Sequence, residues 1–210
     1  MLGLSYMATT PTLTTELEAV NILLGSTGES PVSSLDDPSL VDVALAKSIL
    51  DETSISVQTI GAHYNQEYDY PLIPDTDGFI NVPANCTKID TTGLSVAKDL
   101  VLRGSRLYDK ENRTYVFDTT VTIYVDLVLL LPFDELPQYA RRYITVKAAR
   151  RYQARIVGSD TLFGFTQTEE QEAMITYEQA ESDTEDNNIL SDSYSVSSIV
   201  YRGAGRRTGY

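Results

Sequence analysis

The period of the apolar residues changes twice along this chain, and that switch constrains the fold more than any other feature. Near the start, Leu17, Val20 and Leu24 fall at i, i+3 and i+7, one face of a helix. Thr15 and Glu18 precede them at the Thr-x-x-Glu spacing of a capping box, and Gly25 and Gly28 bracket the end. A turn-rich link from Ser30 to Asp37 leads to a second start signal, Asp37 as N-cap and Pro38 at the first helical position. Leu40, Val43, Ala44, Ala46, Ile49 and Leu50 carry this helix toward Thr53. The β-branched run to Ile60 blurs its end, and Gly61 is the expected stop.

From His63 the period drops to two. Short alternating stretches cover Phe79–Val82, Leu100–Leu102, Arg106–Tyr108 and Tyr115–Phe117. The clearest strand, Val121 to Leu129, places Val121, Ile123, Val125, Leu127 and Leu129 on one face. Gly104-Ser105 reads as a hairpin turn and Asp109–Asn112 as a second turn. Helical spacing returns at Asp134, with Pro137 in the first turn, and runs to Gly158. A loop holding Leu162, Phe163 and Phe165 is expected next, then a last helix from the Thr166/Glu169 pair to Asp186, seamed by Ala173, Tyr177 and Ala180. The fold expected is α+β: a helical bundle drawn from both chain ends, with an inserted antiparallel β-rich region. Its parts are an N-terminal extension (1–13), the bundle's first part (14–62), the β-rich insertion (63–132), the bundle's second part (133–188) and a C-terminal docking tail (189–210).

Charge narrows the function. The 210 residues carry 16 Lys+Arg against 30 Asp+Glu, a formal net charge of -14. Nucleic-acid and anionic-membrane binders rest on basic contacts, so both are disfavoured. Hydrophobic residues make up 42%, enough for a packed core. The single cysteine, Cys86, excludes an internal disulfide and a cysteine-rich zinc site. The single histidine, His63, has no partner motif for nucleophilic catalysis. No signal segment is read at the N-terminus. The longest apolar run, Val125 to Phe133, is broken by Asp126 and Pro132 and is too short to span a membrane. A soluble product made in a cytoplasm is expected.

No P-loop, GxGxxG, HExxH, GxSxG or EF-hand spacing occurs. The acidic pairs Asp36/Asp37, Asp51/Glu52, Asp75/Asp77, Asp134/Glu135 and Glu169/Glu170 read as helix starts, turns and solvated faces. Asp75-x-Asp77-Gly78 lacks the later Glu of a calcium loop and reads as a turn. Catalytic, cofactor and metal residues are therefore expected to be absent. The 14 tyrosines, with no tryptophan, fit either protein–protein contact or ordinary packing.

Six of the basic residues crowd one helix: Arg141, Arg142, Lys147, Arg150, Arg151 and Arg155. Lys147, Arg151 and Arg155 share a side with Leu136, Ala140, Ile144 and Ala148, which suits a helix pressed between neighbours with acidic partners. Burying those cations unpaired is costly, so carboxylates are expected within salt-bridge distance, inside the subunit or across a boundary. The leading candidate is the following helix, which carries eight acidic and no basic residues between Glu169 and Asp186. After Asn187, Tyr194, Val196, Ile199, Val200 and Tyr201 precede Arg202, Arg206 and Arg207, a docking strand with a basic end. The six helix cations, Tyr194, Tyr201, Arg202, Arg206 and Arg207 are the expected interface with a sister subunit or another partner.

A resemblance makes that partner the portal. Three blocks carry it: Glu16–Leu24 continuing through Gly28–Leu35; Leu136–Arg155 closed by Gly158-Ser159; and Glu169–Ala173 with Asn188-Ile189-Leu190. In this order and spacing they resemble tail tubular protein A, the adaptor family of short-tailed podoviruses. The resemblance implies a structural virion protein without enzymatic activity. It implies a ring of twelve copies below the portal protein, seating the tail nozzle protein and, near the junction, tail fibres. DNA passes through as a duplex, and no membrane is involved. The residues agree with such a role, since residues 1–100 hold 14 acidic against 3 basic residues and a repelling lining lets DNA slide. Two rivals stay open: a carboxylate-based hydrolase acting on cell-surface glycans, and a monomeric binding module.

Overall fold

In the computed structural model, residues 12–37, 40–92, 95, 98–156 and 160–192 are described; side-chain surroundings in the last stretch are given for 167–184. The Thr15 hydroxyl accepts from the Glu18 N–H (3.2 Å) while the Glu18 carboxylate accepts from the Thr15 N–H (2.8 Å). This reciprocal cap opens α1, Glu16–Ser26. The helix ends where Gly28, at φ +86°, lets the Glu29 N–H reach back to the Leu24 carbonyl.

Helix α2 is Val41–Gln58. It starts later than the Asp37-Pro38 signal implies, with Leu40 at its cap and no side-chain cap bond; Pro38 itself lies outside the described residues. The β-branched run stays helical through Gln58. Thr53 and Thr59 turn their hydroxyls onto the Ile49 and Ile55 carbonyls, which satisfies them without breaking the helix. Gly61, at φ +89°, turns the chain out as expected.

The insertion follows. Strand β1 is Gln66–Leu72, β2 Cys86–Thr91, β3 Leu100–Arg103, β4 Arg106–Asp109 and β5 Ile123–Leu129. The strand expected from Val121 is β5, two residues shorter, and it lies in the middle of an antiparallel sheet of order β1-β5-β2. Tyr70 faces Val125 across one side and Ile89 faces Leu127 across the other. Ile123, Val125 and Leu127 are buried, as their alternation requires. Gly104-Ser105 joins β3 to β4 in a tight hairpin. The expected stretches Phe79–Val82 and Tyr115–Phe117 form isolated bridges rather than strands: Phe79 meets Val116, and Asn81 meets Arg106 of β4.

The remaining helices close the bundle. Expected from Asp134, the third helix begins after a single 3-10 turn, Phe133–Glu135, as α3, Gln138–Ile156. The fourth corrects the sequence reading more strongly. Helix α4 runs Asp160–Asp192, so the expected loop around Leu162–Phe165 is helical and Thr166/Glu169 are interior to it rather than a cap. One glycine, Gly164, costs only about 1 kcal/mol in a helix and does not stop a 33-residue run.

Helices α1, α2 and α4 all pack on α3. Partners step backward along α4 as they step forward along α3: Arg150 with Glu170, Tyr143 with Tyr177, Tyr139 with Glu181. The two helices are therefore antiparallel. One core lies within the bundle, around Leu23, Leu24, Ile49, Leu50, Ile144 and Tyr152; a separate one lies within the insertion, around Ile80, Leu107, Ile123 and Leu127. Two buried amides join the parts. Gln58 donates to the Leu131 carbonyl (3.0 Å) and accepts from the Leu131 N–H (2.8 Å). Asn65 donates to the carbonyls of Gln58 and Leu129, both at 2.9 Å. The chain thus enters and leaves the insertion side by side.

Candidate interaction surface

The central position of α3 explains why its cations share a side with apolar residues: nearly every direction from this helix meets another element. Arg141 shows how a charge survives there. It is only 5% exposed, and its guanidinium donates to the Leu136 carbonyl (2.7 Å), the Thr14 carbonyl (2.7 Å) and the Asp134 carbonyl. The planar fork of Arg suits three divergent acceptors. Arg141 ties the lead-in of α1 to the start of α3, inside the subunit.

The other five divide by their surroundings. Arg150 makes an ion pair with Glu170 of α4. Lys147 reaches the Tyr143 hydroxyl at 3.1 Å and lies 5.1 Å from that ring's centre. Arg151 donates to the Thr53 hydroxyl at 2.9 Å. Arg142, Arg151 and Arg155 are exposed. Among the described residues no carboxylate comes within salt-bridge distance of Lys147, Arg151 or Arg155. Among the described residues the expected partnership with α4 is thus made by Arg150, while Lys147 and Arg151 bond hydroxyls and Arg155 is exposed. The remaining interface candidates, Tyr194, Tyr201, Arg202, Arg206 and Arg207, lie outside the described residues.

Two hollows border α3 on its α4 side. One, of about 440 Å³, is bordered by Val57 and Ile60 of α2, Tyr143 of α3, and Met174, Tyr177 and Glu178 of α4. The other, of about 310 Å³, is bordered by Lys147, Arg150, Arg151 and Glu170. The Lys147–Tyr143 contact joins the two. Beneath lies a tyrosine cluster that sequence reasoning did not pick out. Tyr143 stacks on Tyr177 at 5.2 Å, Tyr139 lies 5.9 Å from Tyr177, and Tyr64 meets Tyr139 edge-on at 6.3 Å. The buried Glu181 carboxylate accepts from the Tyr139 hydroxyl (2.7 Å) and the His63 N–H (2.8 Å). Burial, and then the bond to Glu181, push the Tyr139 hydroxyl well above the ordinary tyrosine range. Tyr64 is raised as well, by burial first and then by its Tyr177 and Glu181 neighbours.

A third hollow, of about 390 Å³, gathers Glu16, Asp51 and Asp134. It is the nearest approach to a carboxylate site. Burial, with Glu16 alongside, raises the Asp51 pKa against the pull of Lys47. Glu16, however, forms an ion pair with Lys47, and the Asp134 carboxylate accepts from the Glu16 N–H at 3.1 Å. These groups hold helix ends together. The Asp75 carboxylate is likewise engaged, by the N–H groups of Asp77 and Phe79, which makes the segment the turn that was expected. Among the described residues no three His, Cys, Asp or Glu side chains group as a metal site, and no helix is long and apolar enough to cross a membrane.

No curated protein matches the chain. A family model, that of tail tubular proteins, matches residues 17–187. That span takes in α1, the whole β-rich insertion, α3 and α4 through most of its length. The chain therefore belongs to the tail tubular protein family, structural components of the bacteriophage tail.

Proposed function

We propose that the protein is a tail adaptor: one subunit of a closed ring of twelve that joins the portal to the tail nozzle, seats tail fibres near the junction, and lines part of the DNA ejection conduit. The observation that carries this reading is the pair of unlike faces on one subunit. Exposed Arg142, Arg151 and Arg155 mark α3, while exposed Glu169, Glu172 and Glu178 mark α4. Complementary faces that are not identical make head-to-tail contacts, and such contacts close into rings when the rotation permits. The acid excess over residues 1–100 suits a channel that must not hold DNA phosphates. The basic, tyrosine-containing tail beyond Leu190 is the proposed lash to the portal.

Electron micrographs of the purified protein test the first part. Rings of uniform diameter with twelvefold symmetry are expected, alone or on added portal; a monomer under both conditions overturns the reading. For the lash, full-length protein should retain portal in a pull-down and a version ending at Leu190 should lose it. The hydrolase alternative makes an opposite claim, release of reducing ends from bacterial polysaccharide, abolished by Asp51→Asn.

A further inference from the structure

We infer that the trough between α2 and α4 is the socket for the exposed N-terminal end of α2 from the next copy of the chain. This rests on the ring reading above and names the contact by which the ring closes.

Two observations meet here. The trough is apolar at one end, where Val57, Met174 and Tyr177 form the walls and Ile60 stands 73% exposed. At the other end it is basic: Arg150 is matched by Glu170, while Lys147 and Arg151 bond only hydroxyls among the described residues. A fitting occupant therefore presents apolar side chains next to carboxylates. The start of α2 does so. Val41 is 74% exposed and Leu40 beside it is also exposed, flanked by Asp36, Asp37 and Asp42. Among the described residues this is an exposed apolar knob with acid on both sides.

The placement of the two features makes the contact directional. The knob is at the N-terminal end of α2, and Val57 and Ile60 lie at its C-terminal end. Eighteen residues at 1.5 Å each separate them by about 27 Å. One subunit cannot fill its own socket, and knob and socket are different surfaces. Each copy therefore offers a knob to one neighbour and a socket to the other, a heterologous contact. Within the socket, Glu178 on the apolar wall repels carboxylates, so the acidic flank of the knob is directed toward Lys147 and Arg151. That electrostatic bias fixes the direction in which the helix end lies.

Cysteine cross-linking tests the pairing. In a Cys86→Ser background, Val41→Cys is combined with Met174→Cys, both exposed positions, and assembled protein is oxidised. A ladder of covalent dimers, trimers and higher species is expected, with neither single cysteine giving more than a dimer. Rings that give no ladder overturn the inference and leave the ring reading standing. Cross-linking that stops at dimers overturns it too, because a two-fold contact would then be present. A wild-type protein that forms no ring removes the reading beneath it. As a second measurement, Val41→Asp puts a carboxylate on the apolar wall beside Glu178. Because the site is exposed, folding measured by circular dichroism should be unchanged, and the concentration needed for ring formation should rise about tenfold or more. Unchanged assembly of this folded variant refutes the socket.

Discussion

Replacing Arg141 by alanine should cost the subunit about 4 kcal/mol. The figure comes from the three carbonyls it holds. Leu136 is buried, so its carbonyl loses its Arg141 donor in apolar surroundings, at about 1–3 kcal/mol. The Thr14 and Asp134 carbonyls are nearer the surface, and water replaces part of what they lose, about 1 kcal/mol each. The guanidinium also lies over the Phe133 ring, 6.0 Å from its centre, and removing it opens space there. Arg141→Lys keeps the charge but one ammonium cannot reach three divergent acceptors, so about 2 kcal/mol should be lost. Arg142→Ala, one residue along and exposed, should change stability by less than about 0.5 kcal/mol. Urea unfolding followed by far-ultraviolet circular dichroism, at one fixed protein concentration, measures all three. With a slope of about 2 kcal/mol per molar urea, the alanine variant should unfold about 2 M earlier. If Arg141→Ala falls within about 1 kcal/mol of Arg142→Ala, the carbonyls are satisfied without the guanidinium and the reasoning fails.

Three other outcomes follow from the geometry. A Cβ at Gly78 would stand 2.8 Å from the Phe117 carbonyl oxygen at φ +81°, so Gly78→Ala should lower stability by about 2–3 kcal/mol; Gly104→Ala, at φ +64° in open space, should lower it by about 1 kcal/mol, both read by thermal unfolding. The raised folded-state pKa values of Tyr64, Tyr139 and Tyr177 mean that the unfolded chain ionises first: their contribution is full below about pH 10 and is lost as pH climbs above it. Stability measured against alkaline pH should therefore fall, and Tyr139→Phe should flatten that fall. A double-mutant cycle on the half-buried Arg150–Glu170 pair should give a coupling of about 1 kcal/mol that shrinks in high salt; coupling indistinguishable from zero would show that the pair does not fasten α4 to α3.

The features legible in the sequence were those whose cause is local. The Thr15/Glu18 box, the β5 alternation and the Gly104-Ser105 hairpin each depend on neighbouring residues, and each formed where expected. Strands β1 and β2 were missed because they are edges of their sheet. Tyr68 and Tyr70 face outward, Pro71 is tolerated at an edge, and neither strand has a strict alternation. At α4 a local signal misled: Thr166-x-x-Glu169 is equally compatible with the middle of a helix, and the continuation upstream overrode it. The surface was legible only in part. A helical wheel cannot show that the Arg141 guanidinium is received by three backbone carbonyls together with the Asp134 carboxylate at 3.7 Å. Nor can it show that Tyr64, Tyr139 and Tyr177, drawn from three separated segments, converge on Glu181. Their meeting depends on how α3 and α4 run past each other.

The side-by-side crossing at Gln58, Asn65 and Leu131 makes the insertion a cassette. At that crossing the separation of the two strands of chain is fixed by hydrogen bonds. Lengthening, shortening or exchanging residues 66–129 leaves the ends to be joined in the same place, and loop length itself adds little cost. The helical bundle and the inserted sheet can thus diverge at different rates. The surface of the insertion can change while the bundle keeps its packing.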